Sequence, residues 1–430
     1  MSTAKTSADA VTIDWDHNAP ASLASVHARL NRLAAETPIV WNTAYGGFWV
    51  IAGFDETNTA YQDWETFSSM HDGVEGDAFA KRDKDLYPAD RTPRTGLSIP
   101  EQPARFVPTE CDPPMHTAVR RLEAPFFTPK AVRSYEEGIR EHTIEALEAV
   151  RATGRIDFSA DLANVVPVKM ASKLIGGGVP DWETLSGTVH NMMLHPVSSP
   201  EFPMDLFLSM QGQILDLVKK RKESPQGDVA SALMAGSIFD VRVEPEEAQT
   251  ILNGLTFGST DTTATTVLHT LRWLSGNPEA REQLRQSPDR IPKAVEEFLR
   301  LYTPSLGVAR TVARDAEFFG HALQEGQRVL LLNSAANRDP RKFPRPLEVD
   351  FDRENVRDHI AFGSGPHRCL GAPVARLELK IMLEEVLRRM PDFTVIEEEI
   401  EEYPRKGGTL GLAKVPARFT PSDAPQPAMV

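Results

Sequence analysis

Cysteine is almost absent: the 430 residues carry two, Cys111 and Cys369. Two cannot build a disulfide framework or supply the clustered thiolates of an iron–sulfur centre, so a reducing, intracellular setting is the default expectation. Positive charge is in deficit, with 47 Lys and Arg against 61 Asp and Glu and a formal net charge of −14. Nucleic acid and anionic membrane surfaces both select for a basic footprint, so this balance argues against either partner. No stretch reaches the roughly 18 uncharged apolar residues of a membrane-spanning helix. The opening MSTAKTSADAVTIDWDHNAP holds acids and polar groups where a secretory signal needs an apolar core. The expectation is a cytoplasmic monomer.

Proline, by contrast, is plentiful at 33 residues, and it is clustered. A first helical stretch covers 21–36. The run Gly46-Gly-Phe-Trp-Val-Ile-Ala-Gly53 then reads as strand, because aromatic and β-branched side chains suit a pleated surface. A long irregular segment follows from about 72 to 114, and a loop of that length is functional or disordered. Asp112-Pro113-Pro114 marks a helix start, with Asp112 as the capping acid and proline in the first turn. Helical periodicity recurs over about 131–151, 165–175, 182–194 and 204–220, with Ser198-Ser-Pro-Glu-Phe-Pro203 breaking the last two apart. Pro245 opens a helix of about 30 residues that Gly276-Asn277-Pro278 stops. Shorter helices follow at about 278–286 and 292–301, and short strands at 327–332 and 409–413. With no linker in the pattern, the expectation is one mainly α domain with a minor β portion spanning 1–430. Residues 1–14 and 420–430 read as flexible tails.

The segment with most chemical content is Phe362-Gly-Ser-Gly-Pro-His-Arg-Cys369-Leu-Gly371-Ala-Pro. Glycines let backbone approach a flat partner closely and aim amides at the sulfur, and the helix that follows lowers the thiol pKa. A lone cysteine without a second at metal-finger spacing suits one axial thiolate on haem iron better than a zinc or iron–sulfur site. A buried, inert cysteine in a turn is an equally good reading of composition alone.

Phe362-x-x-Gly365-x-His367-x-Cys369-Leu370-Gly371 matches every constrained position of the haem-binding signature of the cytochrome P-450 family. The chain resembles that family from about Asp14 to Phe419, most of all its soluble bacterial members. The resemblance implies a mainly α fold with a long central helix over a buried haem b, whose iron takes Cys369 as axial ligand. Phe362 and Gly371 then belong to the cofactor loop.

The long helix carries Gly258, Asp261 and five threonines between Phe257 and Thr266. These are poor residues for a helix interior, and their hydroxyls are expected to loosen the ladder into a local widening. An exposed polar stripe is the simpler alternative, but the apolar flanks Ile251-Leu252 and Val267-Leu268 argue for burial. The segment resembles the oxygen-activating helix of the family. Gly258 leaves room for O2, Thr262 positions water and donates a hydrogen bond, and Asp261 relays protons from solvent. Retention of both Asp261 and Thr262 implies a monooxygenase rather than a peroxide-driven peroxygenase. A haem protein that binds a ligand without turnover would leave the pair unexplained.

Glu297-x-x-Arg300 puts acid and base on one helical face. By resemblance these two, with Arg353, are fold residues that hold the cysteine loop. His116 and Arg120 share a face at i, i+4, and the resemblance sends them, with Arg310 and His367, to the haem carboxylates. Tyr87, Arg91 and Arg94 are weaker candidates for haem or substrate, with packing of the Pro-rich loop the simpler reading. Cys111 reads as a buried apolar residue, and the acidic run 397–402 as a solvated edge.

The resemblance implies insertion of one oxygen atom of O2 into a small hydrophobic substrate of terpenoid, aromatic or polyketide-like type. Asn253, Phe257, Leu306, Val308 and Leu410 are the candidate pocket residues. Without a flavin or nicotinamide fingerprint, electrons must come from NAD(P)H through a separate ferredoxin and ferredoxin reductase. Arg121, Arg368 and Arg388, under Cys369, are the candidate docking residues for an acidic ferredoxin.

Overall fold

The computed structural model describes residues 7–422 apart from 73, 75, 89, 103, 178–181, 196–198 and 406. Helix dominates, as periodicity implies. The helices that position the site are α1 (Leu23–Glu36), α2 (Met115–Glu123), α3 (Val166–Ile175), α4 (Trp182–Leu194), α5 (Met204–Glu223), α6 (Pro245–Gly276), α7 (Ile291–Leu301) and α8 (Ala372–Arg389). None is long and apolar enough to cross a membrane, nor is any other helix among the described residues.

The core forms around α6, which packs against α3, α5 and α8. At 32 residues it runs about 48 Å at 1.5 Å per residue. Its start is a reciprocal capping box: Glu244 accepts from the Glu247 amide, and the Glu247 carboxylate accepts from the Glu244 amide at 2.9 Å. Pro245 occupies the first turn, where it sacrifices no hydrogen bond. The widening expected near Thr262 is overturned, since α6 runs without interruption. The hydroxyls of Thr260, Thr262, Thr266 and Thr270 donate to carbonyls one turn back, at 2.9, 3.1, 3.2 and 2.8 Å. A carbonyl has two lone pairs, so these bonds add to the ladder without displacing its rungs.

The main sheet has six strands: β1 (Thr12–Ile13), β2 (Ile39–Asn42), β3 (Phe48–Ile51), β4 (Phe67–Ser68), β5 (Val308–Val312) and β6 (Arg328–Leu331), in the order β1-β2-β3-β6-β5-β4. β1–β2 and β3–β6 are parallel and the other pairs antiparallel. Pairing of Thr12 with Trp41 and Ile13 with Asn42 ties down the end of the stretch read as a flexible tail. Thr420 is likewise tied by its amide to Asp392 at 3.0 Å, while 1–6 and 423–430 lie outside the described residues.

Two other local expectations fail. The helical pattern over 131–151 divides at Tyr135 into Pro129–Ser134 and Glu136–Val150. Asp112 does not cap α2, which begins after Pro114 without a side-chain cap. Its carboxylate instead accepts from the Ser69 amide at 2.9 Å, from the Ser68 hydroxyl, and from Arg94 at 2.9 Å. A buried carboxylate takes the cationic partner in preference to a helix amide.

Similar charge pairs order the Pro-rich segment, which includes a short helix at Ala80–Leu86. Arg105 bridges Asp77 and Asp83 and donates to Cys111 Sγ at 3.0 Å, while Arg91 pairs with Asp72. Burial pushes the Cys111 thiol up to about 12. Tyr87 donates to the Asp112 carbonyl at 3.0 Å. Buried His71 lies between Glu101 (2.9 Å) and Glu110 (3.4 Å). Burial lowers its pKa, but the two carboxylates outweigh burial and raise it above 6.5.

Deepest of all is an ion triad. Arg300 donates to both carboxylate oxygens of Glu297 at 2.8 Å, and Arg353 Nε reaches both at 3.0 Å. The rest of each guanidinium donates to carbonyls between Asn337 and Glu348. Removing one member of such a buried set leaves uncompensated charge, at about 3–5 kcal/mol. Glu297→Gln should lower unfolding free energy by about that amount in urea titrations. His71 gives a pH test with a definite sign. Its raised folded pKa means its contribution is complete below 6.5 and is lost as pH rises through the folded value. Thermal midpoints should therefore fall on the alkaline side, and His71→Gln should flatten that slope.

Candidate active site

The Cys369 loop closes on itself through the Cys369 amide, which donates to the Phe362 carbonyl at 2.9 Å. Gly363 and Gly365 take left-handed backbone at φ 68° and 66°. At Gly365 a Cβ would come 2.4 Å from the Tyr61 carbonyl oxygen, so only glycine fits. The loop runs into α8, with Pro373 in its first turn. The amides of Gly371 and Ala372 stabilise the thiolate form of Cys369, as does Arg120, yet burial is the larger effect and the thiol pKa is raised. This corrects the expectation of a lowered value: removing a thiolate from water outweighs two amide dipoles. Although deep in the protein, the Cys369 side chain is accessible. Its exposure is to a cavity.

That cavity is about 400 Å³, and its lining is mainly apolar. The cysteine loop contributes Phe362, His367, Cys369, Leu370 and Gly371, and α6 contributes Leu255, Gly258, Ser259, Thr262 and Thr263. Space over Gly258 is open, since a Cβ there would meet nothing within 4 Å. The Thr262 hydroxyl donates to the Gly258 carbonyl at 3.1 Å. Asp261 is buried and does not line the cavity; its Oδ1 accepts from the Tyr403 hydroxyl at 2.9 Å. Burial raises the Asp261 pKa, with Tyr403 and Thr409 opposing.

Four nitrogen-bearing side chains converge on the same cavity: His116 and Arg120 from α2, Arg310 from β5 and His367 from the loop. The two imidazoles lie 4.2 Å apart, and all four of their ring nitrogens are buried without a hydrogen-bond partner. Arg310 donates to its neighbouring carbonyl, on Ala309, at 2.7 Å and sits over the Tyr61 ring. Arg120 donates to the Arg368 carbonyl at 2.7 Å. Burial and the nearby arginines hold His116 near a pKa of about 4 and His367 well below its ordinary value. Two orphaned imidazoles beside two arginines outnumber the one unpartnered carboxylate on the wall, Glu123, and call for an acceptor-rich, anionic ligand.

Comparison with known proteins identifies the arrangement. The family model described as Cytochrome P-450 matches residues 209–420. The steroid C26-monooxygenase of Mycobacterium tuberculosis (strain CDC 1551 / Oshkosh) is 31% identical over 331 residues, covering 75% of this chain and 88% of that protein. The chain belongs to the cytochrome P-450 family. The 6-deoxyerythronolide B hydroxylase of Saccharopolyspora erythraea is 28% identical over 425 residues, covering 96% of this chain and 97% of its own length. Among solved structures, a mutant of P-450 EryK in complex with erythromycin B superposes with a TM-score of 0.79 at 26% identity, covering 94% of this chain and 98% of that one.

The family implies haem iron and O2, and the residues of this cytochrome P-450 fit haem. One accessible sulfur faces the cavity, the orphaned imidazoles and two arginines await carboxylates, and Gly258 leaves its stretch of wall bare. The candidate substrate residues fare differently. Val308 lines the cavity, whereas Asn253, Phe257, Leu306 and Leu410 do not. Leu306 and Leu410 are sealed in the core, Phe257 packs edge-on against Phe106, and Asn253 donates to Gln211 at 2.7 Å. A periodic apolar residue beside a pocket is as often core as lining. Tyr87, Arg91 and Arg94 serve the Pro-rich segment and stand off the cavity wall.

Among the wall residues missed in the sequence, three carry polar chemistry of note. Tyr61 stacks under Arg310. Glu123 and Glu378 are buried acids whose pKa values burial pushes up to about 8. Glu123 lies three residues after Arg120, on the same face of α2, and that spacing was the available signal. Arg310→Leu removes one charged partner, worth about 1.5–3 kcal/mol. Haem affinity, measured by transfer to apomyoglobin, should fall about 10- to 150-fold, with Arg121→Ala on exposed α2 surface as the unaffected control.

Proposed function

We propose that the chain is a haem-thiolate monooxygenase that inserts one oxygen atom of O2 into a small, chiefly apolar substrate. The observation that carries this reading is one cavity uniting an accessible Cys369 with four unpartnered imidazole nitrogens and the Gly258–Thr263 face of α6. Cys369 would ligate the iron through its sulfur, and His116, Arg120, Arg310 and His367 would hold the carboxylates. Haem, when bound, supplies the iron at which O2 is activated. What remains for the protein is to exclude water, orient the substrate and deliver protons.

The apolar stretches of wall, with Leu97, Leu255 and Val308, keep bulk water out and select the substrate by shape. A relative named as a steroid C26-monooxygenase lends support to a substrate of that apolar character. Thr262 is the proton donor at the cavity surface. Its hydroxyl, now given to the Gly258 carbonyl, turns inward by one rotamer step to hold water or a substrate-side oxygen. Asp261, one residue back, holds the proton that Thr262 hands on. Electrons come from NAD(P)H through a separate ferredoxin and its reductase. Arg121 and Arg368 are exposed and available to an acidic partner, while Arg388 is engaged by buried Glu385 and leaves that set.

A Soret titration of the ferric protein against an apolar library tests the reading. A low- to high-spin shift would identify compounds that enter beside Cys369, and lack of any haem spectrum after reconstitution would end it. Thr262→Ala should keep the spin shift while turning most NADH equivalents to peroxide. Full coupling to product in that variant would contradict the role given to Thr262.

A further inference from the structure

The proton donor needs a supply, and Asp261 is cut off from the cavity surface and from solvent, at 5% exposure. Its Oδ1 accepts from Tyr403, itself 2% exposed. Beyond Tyr403 stands His190 on α4, with Nδ1 3.2 Å from the phenol oxygen and the two rings 5.7 Å apart. His190 is only half-buried. Three elements distant in sequence thus place an imidazole, a phenol and a carboxyl in line from the outside inward. The position of Tyr403 is built: at Gly411 a Cβ would come 2.4 Å from the Tyr403 ring, so glycine there admits the ring. The Tyr403 amide also donates to the Gly411 carbonyl at 3.3 Å.

We propose that Tyr403 and His190 are positioning residues that supply protons to Asp261, forming an imidazole–phenol–carboxyl route from the surface at α4 to the turn of α6 that bears Thr262. The inference rests on the monooxygenase reading and adds the source of its protons. One proton moves per event and no electron. As the imidazole gains a proton from solvent, Nδ1–H passes to Tyr403 Oη and the Tyr403 hydroxyl proton passes to Asp261 Oδ1. The carboxyl then releases it toward Thr262, and rotation of the hydroxyl and the half-buried ring resets the line. The two inner shifts are concerted, because burial and the Asp261 charge hold the phenol far above its ordinary pKa and disfavour a free phenolate. Besides Asp261, Asp157 faces His190, and both favour the protonated imidazole against the effect of burial.

Tyr403→Phe keeps the ring over Gly411 and removes the hydroxyl, and His190→Gln removes the outer titrating group. Substrate-dependent turnover at saturating reductant should fall at least about tenfold in Tyr403→Phe, with a larger solvent deuterium isotope effect and an unchanged midpoint for the substrate-induced Soret shift. Independently of turnover, the infrared carboxyl band assigned to Asp261 by its loss in Asp261→Asn should move in Tyr403→Phe. Wild-type turnover, isotope effect and band position in both variants would overturn the proposal. Should Tyr403→Phe fail to fold, His190→Gln decides alone: a wild-type rate and isotope effect refute the route, and a fall in rate with a raised isotope effect supports it. If the wild-type protein binds no haem or makes no oxygenated product, the monooxygenase reading fails instead, and the infrared shift still reports whether the Tyr403–Asp261 bond exists.

Discussion

A single carboxylate held between two guanidinium groups underlies the placement of the reactive cysteine. Glu297 is fully buried, and it is tolerable there because Arg300 and Arg353 neutralise it and each spends its remaining donors on main-chain carbonyls. The cluster welds α7 to the irregular chain at 337–353, just before the cysteine loop begins. Such a triad is a poor source of net stability compared with apolar packing, because desolvating three charges is expensive. What it contributes is uniqueness of path. The carbonyls of Asn337, Pro344, Arg345, Pro346 and Glu348 meet the remaining guanidinium donors, so the loop that follows starts from an anchored chain.

Against that frame, the cofactor cavity is electrostatically unfinished. Two imidazoles with unpartnered nitrogens sit beside two arginines, and burial has driven both imidazoles toward the neutral form. In folding terms this is an unfavourable cluster, since buried polar groups without partners lose their hydration for nothing. It becomes favourable when an anionic ligand arrives, so cofactor binding and folding stability are linked in the same residues.

Much of this was legible in the sequence where signals were redundant. The limits of α6 follow from Pro245 at one end and Gly276-Asn277-Pro278 at the other, and the loop around Cys369 turns on Gly363 and Gly365, whose left-handed backbone favours glycine. Legibility failed where a long-range partner outcompeted a local rule. Asp112 has the sequence of a helix cap and instead joins Arg94 and Ser68. Strand β5 was missed although Val308, Thr311 and Val312 are strand formers, because the run is five residues long and has charged Arg310 at its centre. Thr12 and Ile13 resemble a tail until β2 offers an edge. The thiol pKa went the wrong way because depth of burial, unlike helix position, is not written in the loop. Tyr403 was hidden in the same manner, as one aromatic at the end of an acidic run.

Asp112 also couples two regions that sequence reading treats separately. On one side it grips Ser68 in β4, Ser69 just after it and Arg94 in the Pro-rich segment, and on the other its own chain leads directly into α2, which carries His116 and Arg120. The segment that flanks the cavity and the helix that faces its anionic ligand therefore share one mechanical anchor. Large swings of that segment would drag the start of α2 with them and disturb the cofactor contacts. The placement of that segment and the seating of α2 at the cavity wall are therefore set by the same bonds.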